Sequence, residues 1–243
     1  MRALITLGLI LAGTSYLSSQ NSSWYSNNKR VTGNGNVVEK THAVKDFHSL
    51  QIGDAFKVRL IQDDENKVVI ITDENLHEHI AVINKNGILS IQVQADFREF
   101  NDLTVYITFK ELDNINFDGE CIVDAENQLK FDELDFSLTG ATSTELDIEV
   151  NTLNIQVSGA STTTLSGSIQ KSNILVNGAG SFNAEKLSID EVNINVSGGG
   201  TAEILVNEIL EANVSGGGML EYSGDPTKVE ENISGGGSCN HKK

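Results

Sequence analysis

Seven glycines at nearly constant spacing constrain this chain more than any other feature. Gly119, Gly140, Gly159, Gly178, Gly198, Gly216 and Gly235 are separated by 21, 19, 19, 20, 18 and 19 residues. Their flanks keep register. Two positions before each lie Phe117, Leu138, Val157, Val176, Val196, Val214 and Ile233; four before lie Ile115, Phe136, Ile155, Ile174, Ile194, Ala212 and, breaking the column, Glu231. Six positions after come Ala125, Leu146, Leu165, Ala184, Ile204 and Tyr222. Asn, Ser, Gln, Thr and Glu fill the places between, an alternation with period two that reads as strands with one wet face.

One such unit cannot fold alone. About four inward side chains at about 2 kcal/mol each are set against a cost on the order of 20 to 40 kcal/mol for ordering nineteen backbones. Neighbouring units must supply both hydrogen bonds and burial. The sequence therefore predicts an all-β fold, a parallel β-helix or β-solenoid with coils of about 19 residues stacked roughly 4.8 Å apart. Each glycine suits a corner where a positive φ or a close approach excludes a Cβ. Three late copies extend the corner to Ser-Gly-Gly-Gly, at 197–200, 215–218 and 234–237. Corner geometry and a smooth docking surface are two readings of that extension.

Residues 113–239 form the regular coils, and 29–112 read as an N-terminal β cap with early coils, the whole of 29–243 being a single domain. Gly33 and Gly53 lie twenty apart and suggest degenerate early coils, and strand-like runs follow at Lys67 to Thr72, Ile88 to Val93 and Leu103 to Phe109. Ahead of the domain, Met1-Arg2, an apolar run from Ala3 to Gly13 and small or polar residues to Ser19 have the form of a signal peptide at 1–19, with a short linker at 20–28. The run is too short for the ~20 residues of a membrane-spanning helix, so no transmembrane anchor is expected.

A formal charge of −17 argues against nucleic-acid partners, whose phosphates demand Lys and Arg. Asp124, Glu145, Glu203 and Glu221 fall in one polar column, five residues after successive glycines, where neighbouring carboxylates could take calcium. Solvated side chains on an outer face explain the same column. His77-Glu78-His79 has a spacing that metal sites use, but no third ligand is recognisable, so the reading preferred is a surface loop or short turn. Cys121 and Cys239 lie six coils apart in this register, too far for a bridge, which leaves Cys239 free to cross-link two chains. Three of the four Asn-X-Ser sequons, at Asn195, Asn213 and Asn232, are products of the repeat, with Asn outward in a hydrogen-bonded ladder; the fourth is at Asn21. The glycine-rich corners lack the Lys-Ser/Thr and the helix of a phosphate loop. No cofactor is expected.

The order of Val31-Thr32-Gly33-Asn34-Gly35-Asn36-Val37, Phe47-His48-Ser49-Leu50-Gln51-Ile52-Gly53-Asp54-Ala55-Phe56-Lys57-Val58, Thr72-Asp73-Glu74-Asn75-Leu76 and repeated Val-Ser-Gly-Gly-Gly resembles the putative autotransporter adhesin, head GIN domain family, over about residues 29 to 239. The resemblance implies an exported protein of Bacteroidetes-like envelopes and a right-handed β-helix, and carries no catalytic or binding residues. The expected function is a non-catalytic envelope or cell-surface module in the periplasm, on the outer membrane or outside the cell, binding a glycan, a protein or another copy of itself. The alternative is a carbohydrate-active β-helix enzyme, a lyase or glycosidase. From Asn116 to Gly224, however, the chain has no Arg or Trp and a single Tyr, a poor supply of bases and sugar platforms.

Overall fold

The computed structural model describes residues 29–242. The expected signal peptide at 1–19, the expected linker at 20–28 and the Asn21 sequon lie outside them. What is described is nearly all β: a stacked solenoid of about seven turns spaced about 19 residues.

The regular part begins with β10 (Asn114–Gly119) and β11 (Ile122–Ala125), continues through β12 (Leu129–Gly140), β13 (Ser143–Val157), β14 (Thr162–Val176), β15 (Ser181–Val196) and β16 (Thr201–Val214), and ends with β17 (Met219–Ser223), β18 (Lys228–Ile233) and β19 (Ser238–His241). Each pairs in parallel with its equivalent one coil on, so Ile155 faces Ile174, and Ile174 faces Ile194. Alternation sends one column inside: Leu138, Val157, Val176, Val196 and Val214 are all essentially inaccessible. Gly178 to Gly198 is one residue longer than the 19-residue step. The excess is absorbed where the β14–β15 register shifts between Thr164 and Ser166, beside Glu185.

The corners carry the ladder around the bend. Ala141, Ala160 and Ala179 donate their N–H groups to the carbonyls of Gly119, Gly140 and Gly159 at 2.8 to 2.9 Å, and Gly199, Gly217 and Gly236 continue the series. All seven repeat glycines have positive φ, from +70° at Gly216 to +136° at Gly119. The backbones approach so closely that a Cβ at Gly159 would lie 2.3 Å from the Gly140 oxygen. The third glycine of the extended corners faces inward: a Cβ at Gly237 would meet Val214 Cγ1 at 2.8 Å.

The N-terminal end departs from simple winding. β3 (Ser49–Asp54) and β4 (Lys57–Gln62) form a coil directly under β10 and β11. The coil beneath that one is built later in the chain, from β7 (Ile88–Val93) on β3 and β9 (Leu103–Phe109) on β4. Its outer edge is closed by antiparallel strands: β6 (Ile80–Lys85) on β7, β5 (Lys67–Asp73) on β9, and β2 (Val37–Ala43) on β5. Antiparallel closure finishes a sheet edge that would otherwise offer free backbone groups.

Two expectations about this end change. Val31 to Val38 is not a coil: β1 (Arg30–Val31) pairs with β8 (Asp96–Phe97), and the rest runs into β2. Gly53 does not occupy the corner either, because Gly119 pairs with Asp54, which takes the positive φ of +71°. Asp tolerates that region better than most residues with a Cβ.

At the opposite end β18, the last strand but one, is exposed along its whole length. There Glu231 takes the place of the aliphatic column, and its carboxylate faces Tyr222 and Cys239. Burial, with Glu231 adding to it, pushes the Cys239 thiol up to about 12, and burial pushes Cys121 up to about 11. Both cysteines are free, and six coil-to-coil pairings separate their strands. Cys239 packs against the core, which makes it a poor cross-linking thiol, contrary to expectation. Both thiols are thus held in the protonated form at pH 8. Iodoacetamide should therefore leave both unlabelled in the folded protein and label both after denaturation. The raised pKa values give a stabilising contribution present below the ordinary value of 9.0 and lost as pH rises toward 11 and 12, so the melting temperature should fall in alkali.

Candidate functional site: a groove beside the glycine corner

The first coil in space turns its corner differently from the others. From Ile52 to Lys57, across the β3–β4 corner, is five residues; between their partners Ile91 and Thr104, across the β7–β9 corner, it is thirteen. The eight extra residues are extruded as a loop that stands beside the glycine corner and makes a wall. Between wall and corner lies a groove of about 730 Å³, lined by Ala55, Val93, Ala95, Phe97, Phe100 and Leu103 together with Gly53, Asp54, Asp96, Asp118, Gly119 and Glu120.

The wall is held by its neighbours. Arg98 and Gly33 N–H groups donate to the Val31 and Glu99 carbonyls, each at 2.8 Å. The buried Asp73 carboxylate accepts the N–H of Gly35 at 2.6 Å and that of Asn101 at 2.8 Å. Asn75 bonds Asn34 N–H and the Thr32 carbonyl. Val31, Leu76 and Ala95 form a small core of their own, with Phe97 packed on it. Three rings follow in a row, His79 to Phe97 at 6.5 Å and Phe97 to Phe100 at 6.4 Å, both edge-on. Phe100 ends the row 42% exposed.

The groove's polar side chains are all carboxylates. Asp96 is engaged by Arg30 and Arg98. Asp54 accepts the Val93 N–H at 2.9 Å, which ties the groove floor to the end of β7. Asp54, Asp118 and Glu120 are exposed and have no ion-pair partner among the described residues.

Sequence reasoning placed its candidates elsewhere. The acidic column exists in register: Asp124 pairs with Glu145, and Glu203 with Glu221. Arg59 reaches Asp124 at 3.5 Å, and Lys242 bridges Glu203 and Glu185, so cations already attend both pairs. Among the described residues no group of three or more His, Cys, Asp or Glu is gathered as a metal site. The expected surface loop is corrected at His77, which lies in a 3-10 helix (Glu74–His79), buried, with Nε2 3.1 Å from the Val38 carbonyl oxygen; His79 is half-buried and only Glu78 of the three is exposed. Burial holds the His77 imidazole below its ordinary value. Of the sequon asparagines, Asn232 donates to Asn213 at 3.2 Å, whereas Asn195 turns to Asn193. A longer ladder was missed: Asn173 donates to Asn154 and Asn154 to Asp135, at 2.8 and 2.9 Å.

A second depression, of about 690 Å³, gathers Glu111, Asp113, Asp132, Glu133 and Glu149 with His48, Lys110 and Lys130. His48 Nδ1 lies 3.3 Å from Asp113, but the lining carries no Ser, Thr or Cys to act as a nucleophile. All five carboxylates are exposed to solvent.

The family model for the putative auto-transporter adhesin, head GIN domain, matches residues 46–226. The chain belongs to this family. Among solved structures, this GIN-domain chain is similar to a putative adhesin from Bacteroides fragilis NCTC 9343, with a TM-score of 0.82 at 23% identity over 87% of this chain and 100% of that one. A putative lipid binding protein from Parabacteroides distasonis ATCC 8503 gives 0.75 at 20% over 88% and 100%. A putative adhesin from Parabacteroides merdae ATCC 43184 gives 0.67 at 23% over 88% and 100%. At these identities the likeness shows the GIN-domain solenoid fold. No curated protein matches the chain. Among the described residues no helix is long and apolar enough to cross a membrane.

Proposed function

We propose that the chain is an exported, non-catalytic binding module of the cell envelope, and that it binds through the groove between the extruded loop and the glycine corner. The supporting observation is that groove: an exposed Phe100 and half-buried Phe97 held by a dedicated hydrogen-bond network, at a corner lengthened by eight residues. Rigid aromatic anchors in a concave surface are what recognition sites are built from. Family membership supports an adhesive role, and the apolar run at 3–13 supports export.

The test is retention of purified protein by isolated envelope material from the producing cells. Wild type should be retained, and Phe97→Ala/Phe100→Ala should be retained at least about fivefold less, since hot-spot aromatics carry more than about 1 kcal/mol each. Equal retention, with both proteins folded by circular dichroism, sinks the groove as the binding surface.

A further inference from the structure

The groove offers its ligand apolar contact and hydrogen-bond acceptors, and no side-chain donor. Its polar side chains are the carboxylates of Asp54, Asp96, Asp118 and Glu120, and neither Lys, Arg, Asn, Gln, Ser nor Thr lines it. Asp96 is already satisfied by two guanidinium groups, which leaves three carboxylates facing solvent at the rim. An anionic amphiphile would bring a like charge to this rim, on a chain whose formal charge is −17. A complementary occupant brings donors and positive charge on one side and apolar groups on the other. Phe100, exposed at the end of the ring row, presents a surface on which an ammonium or guanidinium can rest.

We infer that the groove binds a cationic amphipathic peptide segment, Lys or Arg alternating with apolar residues, whose charges meet Asp118, Glu120 and Asp54 while its apolar side chains pack on Phe97, Phe100 and Leu103. An extended segment fits because successive side chains point to opposite sides, one set to the apolar wall and the other to the acidic rim. The corner it would run along is free of side chains at Gly119, Gly140 and Gly159, which lets a backbone lie close. The inference rests on the groove being the binding surface and adds the chemistry of what it takes.

Three fluorescent probes separate the possibilities: a hexapeptide alternating lysine and leucine, its glutamate-leucine counterpart, and maltohexaose. The expected result is saturable binding of the lysine peptide, weakened with rising salt as screening demands. Asp118→Asn/Glu120→Gln should weaken it about fivefold and Phe100→Ala about tenfold, the effects of rim charge and aromatic anchor respectively. Glu203→Gln/Glu221→Gln removes equal charge from the other end of the solenoid and should leave affinity within about twofold. No binding of the lysine peptide, binding indifferent to Phe100→Ala, or equal loss in the two charge variants each overturns the inference, the last by showing attraction to net charge alone. Phe100-dependent binding of maltohexaose or of the glutamate peptide in place of the lysine peptide also overturns it, yet leaves the groove as the binding surface. Envelope retention that is indifferent to Phe97→Ala/Phe100→Ala, by contrast, removes the groove itself.

Discussion

Gly159→Ala is expected to destabilise the protein by about 3 to 4 kcal/mol, whereas Gly35→Ala, at nearly the same φ, should lose only about 1 to 2 kcal/mol. The two glycines have φ of +83° and +81°. A methyl group at Gly35 would meet nothing within 4 Å, so only the left-handed backbone opposes it. At Gly159 the same methyl would lie 2.3 Å from the Gly140 oxygen, which is itself the acceptor for Ala160 N–H. Relieving that contact means lifting one coil off another at the corner, with the hydrogen bond that carries the ladder round it. Equilibrium urea unfolding of both variants isolates the stacking contribution as the difference between them. Equal losses would mean that the corner yields freely and that the glycine column reflects φ alone.

That pair also explains why the repeat was legible. A corner imposes the same requirement in every coil, so the requirement is written seven times, with Val157, Val176 and Val196 marking the interior two residues earlier. The first corner escaped recognition because its residue is Asp54, beside a glycine at Gly53 that invites a one-residue error. The cap escaped for a different reason. β9 lies between β4 and β5 in the sheet, though more than forty residues separate β4 from β9 in the chain, and antiparallel pairing of β5 leaves no periodic trace.

The groove was invisible for the same cause. Phe97 and Phe100 come from the extruded corner, Asp54 from one coil and Asp118 from the next, and none of the three segments is distinctive alone. A usable signal was nevertheless present. Asp96-Phe97-Arg98-Glu99-Phe100-Asn101 puts two of the nine Phe residues among charges, between two strand-like runs, where neither alternation nor a turn motif explains them. The acidic column, by contrast, was placed correctly in register, because register is a property of the repeat. What it could not show was that Arg59 and Lys242 come from the first and last parts of the solenoid to meet it.

Asp73→Ala is expected to lose about 3 kcal/mol and, more tellingly, to free the groove wall. Asp73 is fully buried, and the carboxylate is within ion-pair distance of no Lys or Arg among the described residues. Its partners are N–H donors: Gly35 on one oxygen, Asn101 on the other, with the Asn101 side-chain amide at 3.3 Å. Alanine leaves two backbone donors without acceptors, at about 1 to 3 kcal/mol each before water enters. Gly33 is part of the same arrangement, since a Cβ there would lie 2.6 Å from the Asp73 carboxyl carbon. The carboxylate thus ties the segment before β2 to the loop that carries Phe100, and cutting the tie separates wall from floor without touching either. Trypsin should then cleave at Arg98 faster than in wild type, and envelope retention should fall as far as it does in Phe97→Ala/Phe100→Ala. Asp73→Asn keeps one acceptor oxygen and should fall between the two. If Asp73→Ala lowers stability while Arg98 stays protected and retention is unchanged, the wall is held by the β1–β8 pairing and the Val31, Leu76 and Ala95 cluster, and the carboxylate is not what fastens it.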